Sequence, residues 1–280
     1  MKTAPVNNRH RSQIFRLLQE DVEANLFLID IMLRRGVSNL GHEEWRGVFR
    51  EEELLALAVS MGRQGRKGPS QLVFACGDAR LCELLGKREM ASGGTSMLLG
   101  PREAIDGIWK GMGSPEPQVS YDQRLYVCDE APEGPLLPLR YAQTSDLACL
   151  VQYSAEMMRE DLDDDPLERD PERHVAAVQS RIRKRKTLVG DAEGGICFML
   201  DIGTHFRLGS QVGGTYVPPE FRGRGIATMG MREACHQLLK TCDRVTLHVN
   251  EANVPAVRCY QRSGFRAGAP YRLATFHHPD

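Results

Sequence analysis

The chain has 280 residues, of which 41% are hydrophobic and 26% charged, and its formal net charge is −1. This length predicts about two domains of roughly 150 residues each, and the composition excludes a disordered or fibrous protein. The balanced charge provides no general attraction for nucleic acid or an anionic membrane, so neither partner is predicted. No window approaches the roughly 20 apolar residues of a membrane-spanning helix, and we expect a cytoplasmic protein.

The eight cysteines are dispersed along the chain and form no C-x-x-C motif. Several lie inside apolar runs such as VFACG and ICFML. This distribution predicts reduced, buried thiols rather than a disulfide framework, and it predicts no metal site.

The first half alternates helices and strands. Residues 12–36 have apolar side chains at helical spacing and predict one helix that ends at Gly36. Trp45 and Trp109 stand in contexts typical of a helix in the core. Residues 71–112 predict a strand, a helix, a strand and a second helix, and RLYVC predicts a further strand. The proline- and acid-rich stretch DEAPEGPLLP follows, so we predict one domain over residues 1–130 and another over residues 137–280.

The second half predicts a strand at PLRYA, a helix over 144–160 capped by Thr144 or Ser145, and a helix that begins near Pro171. Two strands, GGICFMLDI and RLGSQVGGTYV, precede the stretch VPPEFRGRGIATMGMREA, which ends in a helix. The strand RVTLHVN, the short helix NVPAVRCYQRSG and the strand RLATF complete the chain. Helices on a mixed sheet follow, which is an α/β or α+β class.

The stretch VPPEFRGRGIATMGMREA places two arginines between two glycines, directly before a helix. It lacks the P-loop spacing and has only the first two glycines of the dinucleotide fingerprint. A helix start binds anions because its first N–H groups are unpaired and its dipole favours negative charge. Gly223 and Gly225 would let a pyrophosphate approach the backbone, while Arg222 and Arg224 add positive charge at the rim. A plain glycine-rich turn is the alternative.

Residues Arg222 to Ala227 fit the signature [QR]-x-x-G-x-[GA], and NEANVPAVRCYQRSGF follows a later strand. Together these motifs resemble the GNAT superfamily of acyl-CoA N-acyltransferases over roughly residues 137–276. The phrases VGGTYVPPEFRGRGIATMGM and VTLHVNEANVPAVRCYQRSGF are similar to a bacterial group of tandem GNAT proteins with a degenerate N-terminal half. The resemblance implies a GNAT-like mixed central sheet with flanking helices in two tandem halves. The first half has no intact signature and is not expected to bind CoA in the usual way.

The resemblance also implies acetyl-CoA as cosubstrate, without a metal, and the residues that hold it. These cofactor-binding residues are Tyr216, Val217, Arg222, Gly223, Arg224, Gly225, Ile226, Ala227, Thr228 and Asn253. Tyr260 is implied as the acid that protonates the leaving thiolate, and it lies two helical turns after Asn253. A phenol with an ordinary pKa of about 10 suits a donor to a thiolate whose conjugate acid has a pKa of about 8.5.

The sequence does not identify the general base, for which Glu156, Glu160 and Glu220 are all available. The run EDLDDDPLERDPE holds eight carboxylates and one arginine, and it is either a solvated loop or an attraction for a cationic amine. The basic run RIRKRK is expected to be solvated.

The expected function is N-acetyl transfer from acetyl-CoA to a primary amine of a small molecule or peptide. The alternative is a non-catalytic acyl-CoA-binding or interaction module. A homodimer is compatible with the sequence, which does not determine the oligomeric state.

Overall fold

The computed structural model describes residues 1–37, 43–62, 70–162 and 164–276, without the side chain of Leu162. The chain forms two compact units. The first unit comprises Met1–Leu125, His248–Val254 and Ala267–Asp280, and the second comprises Tyr126–Leu247 and Pro255–Arg266. The last strand of the chain therefore packs with the first unit. The boundary expected between residues 130 and 137 stays a prediction.

The first unit is a mixed sheet with helices. Its strands follow the order β1-β2-β3-β4-β5-β12-β6. They are β1 (Lys2–Pro5), β2 (Glu43–Arg50), β3 (Glu53–Met61), β4 (Leu72–Cys76), β5 (Met97–Pro101), β6 (Val119–Cys128) and β12 (Arg266–Thr275). The helices are α1 (Arg11–Gln19), α2 (Val22–Arg35), α3 (Ala79–Ala91) and α4 (Arg102–Gly111). Strands β4 and β5 are parallel, and β12 pairs antiparallel with β5.

Two details of the first unit differ from the sequence-based expectation. The single helix predicted over residues 12–36 is two helices, because the Asp21 side chain accepts a hydrogen bond from the Ala24 N–H at 3.0 Å and starts α2. The predicted end at Gly36 is confirmed, since its N–H donates to the Met32 carbonyl. Trp45 is fully buried in strand β2, so the helical context was wrong, whereas Trp109 lies on α4 as expected.

Helices α3 and α4 pack through glycines. A Cβ atom at Gly86 would stand 2.0 Å from the Ile108 carbonyl oxygen, and one at Gly107 would stand 2.3 Å from the Ala79 carbonyl oxygen. A Cβ atom at Gly111 would stand 2.1 Å from the Glu83 carbonyl oxygen. The two helix backbones therefore lie too close together at these three positions for any residue that has a Cβ atom.

The second unit has the strand order β11-β10-β9-β8-β7. Its strands are β7 (Leu139–Tyr141), β8 (Thr187–Ala192), β9 (Gly195–Phe206), β10 (Gly209–Tyr216) and the start of β11 (Val245–Asn250). The helices are α5 (Leu147–Leu162), α6 (Pro166–Arg169), α7 (Pro171–Arg183), α8 (Ile226–Leu238) and α9 (Val254–Arg262). The predicted mixed sheet with flanking helices is confirmed.

The helices of the second unit cover both faces of its sheet. Met199 joins a buried cluster with Leu150 of α5 and Val178 of α7. The preceding residue, Phe198, faces α8, because a Cβ atom at Gly230 of α8 would stand 2.8 Å from its ring. Neighbouring strand residues point to opposite faces, so α5 and α7 cover one face and α8 covers the other.

The start of α5 differs from the prediction. Neither Thr144 nor Ser145 caps it, because a short 3₁₀ helix over Thr144–Asp146 precedes α5. The Asp146 carboxylate instead accepts the Gln143 N–H at 2.7 Å and pairs with Arg140. The Arg140 guanidinium holds the pKa of Asp146 below its usual range. Strand β8, sequence TLVGDA, is an element that the sequence analysis missed.

Side chains in the described ranges show no group of three or more His, Cys, Asp or Glu residues placed to hold a metal ion. Of the helices whose residues are described, none has both the length and the apolar character to cross a membrane. All eight cysteines are free thiols, of which Cys149 and Cys259 are half-buried and the others buried.

The glycine contacts between α3 and α4 make the first unit sensitive to a single added methyl group. We expect Gly86→Ala to lower the free energy of unfolding by about 3 kcal/mol or more, because the methyl group overlaps a backbone carbonyl that cannot rotate away. Urea denaturation measures this loss. Gly203→Ala is the control, since its Cβ atom would meet the Gln211 carbonyl at an ordinary 3.4 Å. Equal stability of the two variants would contradict the close packing.

Candidate active site

Strand β10 parts from its parallel neighbour before it ends. The register with β11 pairs Ser210 with Val245 and Gln211 with Thr246. From Val212 to Tyr216 the register of β10 is with β9 on its other side. A strand edge presents backbone N–H and C=O groups to an extended ligand. The last part of β10 therefore has an edge that can receive one.

A β-bulge lies in this part of β10. Gly213 pairs with Asp201 of β9 and Tyr216 pairs with Met199, so Gly214 and Thr215 together face one residue. Gly214 has a φ of +58°, and a Cβ atom there would stand 3.0 Å from a carboxylate oxygen of Asp201. Asp201 is held by the Arg181 guanidinium at 3.0 Å and the Thr187 hydroxyl at 2.5 Å, and burial raises its pKa. Asp201 was not among the site residues predicted from the sequence.

The loop after β10, residues 217–225, is named here the glycine loop. Gly223 and Gly225 have φ values of +77° and +76°, the left-handed region that favours glycine, and open space surrounds the position of a Cβ atom at each. Gly225 is the N-cap of α8 and supplies no side-chain hydrogen bond. The first helical bond runs from the Met229 N–H to the Gly225 carbonyl. The N–H groups of Ile226 to Thr228 thus precede the first bond of α8.

The first turn of α8 also contains no acidic side chain. The helix dipole and the unpaired amides therefore act together in favour of an anion, without a carboxylate to oppose it. Arg224 is exposed beside them, with its guanidinium 5.8 Å from the centre of the Phe221 ring. The backbone at this helix start is compatible with the predicted anion site, which stays a prediction.

Arg222 is placed differently from the rim position expected of it. Its Nη2 donates to both carboxylate oxygens of Glu160 on α5, at 2.8 and 2.9 Å, and its Nε donates to the Val217 carbonyl at 2.8 Å. The guanidinium lies 5.4 Å from the centre of the Tyr216 ring. Its charge is thus already paired with a carboxylate of the same unit.

Tyr216 is buried at the end of β10. Its hydroxyl donates to Glu156 of α5 at 2.7 Å, and its ring lies 5.4 Å from the Tyr153 ring. Burial, and then the bond to Glu156, raise the pKa of Tyr216. Of the three glutamates considered as the general base, Glu156 is thus bonded to Tyr216 and Glu160 to Arg222. Glu220 is exposed.

Tyr260 lies on α9, near strand β10. Its ring is 6.4 Å from the Tyr126 ring and 6.0 Å from the Phe265 ring. Burial raises its pKa to about 12, and a hydrogen bond with the Thr215 side chain opposes part of this rise. Thr215 is the second residue of the bulge, so the phenol and the bulge are neighbours. The sequence analysis did not single out Thr215.

The first turn of α8 is tied to α9. The Thr228 hydroxyl is hydrogen-bonded to the Cys259 thiol at 3.6 Å, and the Ser263 hydroxyl lies 3.4 Å from the Thr228 carbonyl. Ser263 is fully buried. These contacts hold Tyr260 at a set distance from the helix start. Asn253 directly precedes α9 and belongs to the segment His248–Val254 of the first unit.

The acidic run is used largely inside the second unit. Asp165 accepts the Leu167 N–H at 2.9 Å and pairs with Arg159, whose guanidinium holds the pKa of Asp165 below its usual range. Asp170 caps α7, and Asp164 pairs with Arg169. Asp163, also in this run, lies outside the described residues. Asp165 and Asp170 thus cap helix starts and Asp164 is paired with an arginine, so part of the charge of this run is used inside the second unit.

The first unit contains a comparable arrangement with a different helix start. Parallel strands β4 and β5 flank α3, as β10 and β11 flank α8. Asp78 caps α3, with its carboxylate accepting the Arg80 N–H at 2.8 Å. A carboxylate at this place occupies an amide and repels an anion. The stretch RQGRKG in the first half departs from the GNAT signature, since its Gly65 comes one place too early, and it lies outside the described residues.

Comparisons with known proteins agree on one family. Residues 141–265 match the model of the acetyltransferase (GNAT) family. Among curated proteins no match is found.

Solved structures resemble the whole chain in fold. A GCN5-related N-acetyltransferase from Sphaerobacter thermophilus is 16% identical, with a TM-score of 0.63, and the match covers 100% of this chain and 96% of that one. A GNAT-family acetyltransferase from Colwellia psychrerythraea is 11% identical with a TM-score of 0.58, covering 99% of this chain and 100% of that one. A tandem GNAT protein from the clavulanic acid biosynthesis pathway is 12% identical with a TM-score of 0.54, covering 100% and 99%.

The residues matched by the family model include β10, the glycine loop, α8 and Tyr260. Residues 141–265 of this chain thus match the GNAT acetyltransferase family, and that family and its fold support acyl transfer from coenzyme A in general.

Proposed function

We propose that the second unit binds acetyl-CoA and transfers its acetyl group directly to a primary amine of a small molecule or a peptide. The observation that carries the proposal is the uncapped start of α8, with Gly223 and Gly225 in left-handed conformations beside it. Amides that precede the first helical bond suit a pyrophosphate. The free edge of β10 suits the amide groups of a pantetheine arm, which can pair with it as a short added strand.

The bulge and Tyr260 supply the chemistry at the inner end of this strand. The amine nitrogen attacks the thioester carbonyl carbon, the carbon–sulfur bond breaks, and the sulfur leaves with the electron pair. A backbone N–H of the bulge would stabilise the negative charge on the carbonyl oxygen. The amine loses one proton and the sulfur gains one, so a neutral amine reacts without net release of a proton.

The raised pKa of Tyr260 defines its part in this reaction. At about 12 it lies well above that of a thiol, so the phenol stays protonated and offers a hydrogen bond to the sulfur as negative charge develops there. The proton that leaves the amine compensates for any proton that Tyr260 donates. Tyr260 is thus proposed to stabilise the leaving group.

The rival function is a non-catalytic module that binds acyl-CoA. It keeps the uncapped helix start and the strand edge but has no use for a hydroxyl beside the bulge. The position of Tyr260 next to Thr215 favours the enzyme.

Release of free thiol from acetyl-CoA separates the two functions. We expect at least one class of primary amine, among polyamines, amino acids and peptide N-termini, to raise thiol release well above hydrolysis. Tight binding of CoA without any such increase would support the binding module. Absence of both binding and release would contradict the proposed cofactor.

Removal of the Tyr260 hydroxyl tests the leaving-group role. Tyr260→Phe should lower kcat by about 100-fold with little change in the Kd for CoA, because the hydroxyl acts mainly in the transition state. Tyr141→Phe, a half-buried tyrosine of the same unit, is the control. Wild-type kcat should also show no decline attributable to this phenol between pH 8 and 10, because loss of its proton begins only near its pKa of about 12. An unchanged kcat in Tyr260→Phe would remove the assignment.

The charge at the helix start is tested at Arg224. Arg224→Glu should weaken CoA binding by about 10-fold, with a smaller effect at high salt, because it places a carboxylate near the proposed phosphate position. Titration calorimetry measures the Kd at two salt concentrations. Arg183→Glu, at the exposed end of α7, makes the same change in net charge elsewhere. Equal affinities of the two variants would show that the glycine loop does not hold the phosphates.

A further inference from the structure

Two carboxylates of α5 reach the end of β10 and the glycine loop. Glu156 and Glu160 are four residues apart, which places them on one face of the helix. Glu156 accepts the Tyr216 hydroxyl at 2.7 Å, and Glu160 accepts Arg222 Nη2 with both oxygens at 2.8 and 2.9 Å. We name Glu156 and Glu160 the α5 carboxylate pair. The pair joins a helix to a loop about 60 residues further along the chain.

Arg222 closes this set of contacts on the loop side. Its Nε donates to the Val217 carbonyl at 2.8 Å, and its guanidinium lies over the Tyr216 ring at 5.4 Å. The Arg222 side chain thus contacts the first residue of the glycine loop, the last residue of β10 and Glu160, while Glu156 holds Tyr216. The glycines that follow have no side chains with which to hold their own conformation.

We propose that Arg222 and the α5 carboxylate pair are positioning residues that hold the glycine loop in its anion-binding conformation before the cofactor arrives. Arg222 acts through the loop backbone and does not contact the phosphates. This inference rests on the proposed function and specifies which residues prepare the site. A loop that is already ordered loses less conformational freedom on binding, so its affinity is higher.

A phosphate-binding role for Arg222 predicts the opposite change in CoA affinity when Glu160 is altered. If the guanidinium bound a phosphate, Glu160 would compete with that phosphate for it. Removing the charge of Glu160 would then release Arg222 and tighten CoA binding. If Arg222 positions the loop, the same change loosens the loop and weakens binding.

Titration of CoA into Glu160→Gln distinguishes the two roles. We expect Kd to rise about fivefold, the scale of one charged contact at a partly exposed site. Glu133→Gln is the matched control, since it removes the same charge from an exposed residue of the same unit. Its Kd should equal that of the wild type. A Glu160→Gln Kd equal to or below the wild-type value would overturn the proposal.

Arg222→Lys adds a second test, because it keeps the positive charge but cannot reproduce both the Nε and the Nη2 contacts. We expect Kd to rise as in Glu160→Gln. The double variant should bind no more weakly than either single variant, since all three lose the same interaction. Additive losses would show that Arg222 and Glu160 act separately and would overturn the proposal.

Hydrogen–deuterium exchange separates failure of this inference from failure of the proposed function. In the protein without CoA, amides of residues 217–228 should exchange faster in Glu160→Gln than in the wild type or Glu133→Gln. This result would support the positioning role even if the wild type bound no CoA, which would contradict the proposed function alone. Unchanged exchange in these residues would overturn the positioning role.

Discussion

The site depends on how helix α8 begins. Its N-cap is a glycine with a φ of +76°, which turns the chain into the helix without providing a side chain to the first amides. A serine or aspartate N-cap satisfies one of these N–H groups, and it stabilises a helix by roughly a few tenths of a kcal/mol relative to glycine. The chain forgoes that contribution here, and the first turn carries no carboxylate. The helix start is consequently less stable than a capped one and more receptive to an anion.

In the first unit the corresponding helix start is capped by a side chain. Its helix α3 follows β4 in the same order of elements, but Asp78 caps it and the carboxylate occupies the amide that an anion would need. Helices α3 and α4 are also drawn together through Gly86, Gly107 and Gly111, at distances that leave no room for a methyl group. The cap and the close packing both favour the stability of this helix pair. Each unit thus has a helix between two parallel strands. The start of that helix is capped by a carboxylate in the first unit and has no side-chain cap in the second.

Much of the second unit could be predicted from local patterns. The left-handed positions of Gly223 and Gly225, the helix that follows and the short helix with Tyr260 all come from contiguous residues, and the GNAT signature joins them. The contacts of Arg222 could not be predicted, because its partner Glu160 lies 62 residues earlier and the pairing depends on the packing of α5 against β10. The same holds for Asp201, which meets Gly214 only across the strand register. Strand β12 was predicted as a strand, but its pairing with β5 has no signal in its own sequence.

The most direct test of the central claim is a crystal structure of the protein with bound CoA. The account predicts that pyrophosphate oxygens lie about 3 Å from backbone nitrogens of residues 223–228, with the pantetheine arm along the edge of β10. It also predicts no cofactor at the start of α3, where Asp78 stands. Pyrophosphate bound away from the start of α8, or a pantetheine arm that does not follow β10, would contradict the account.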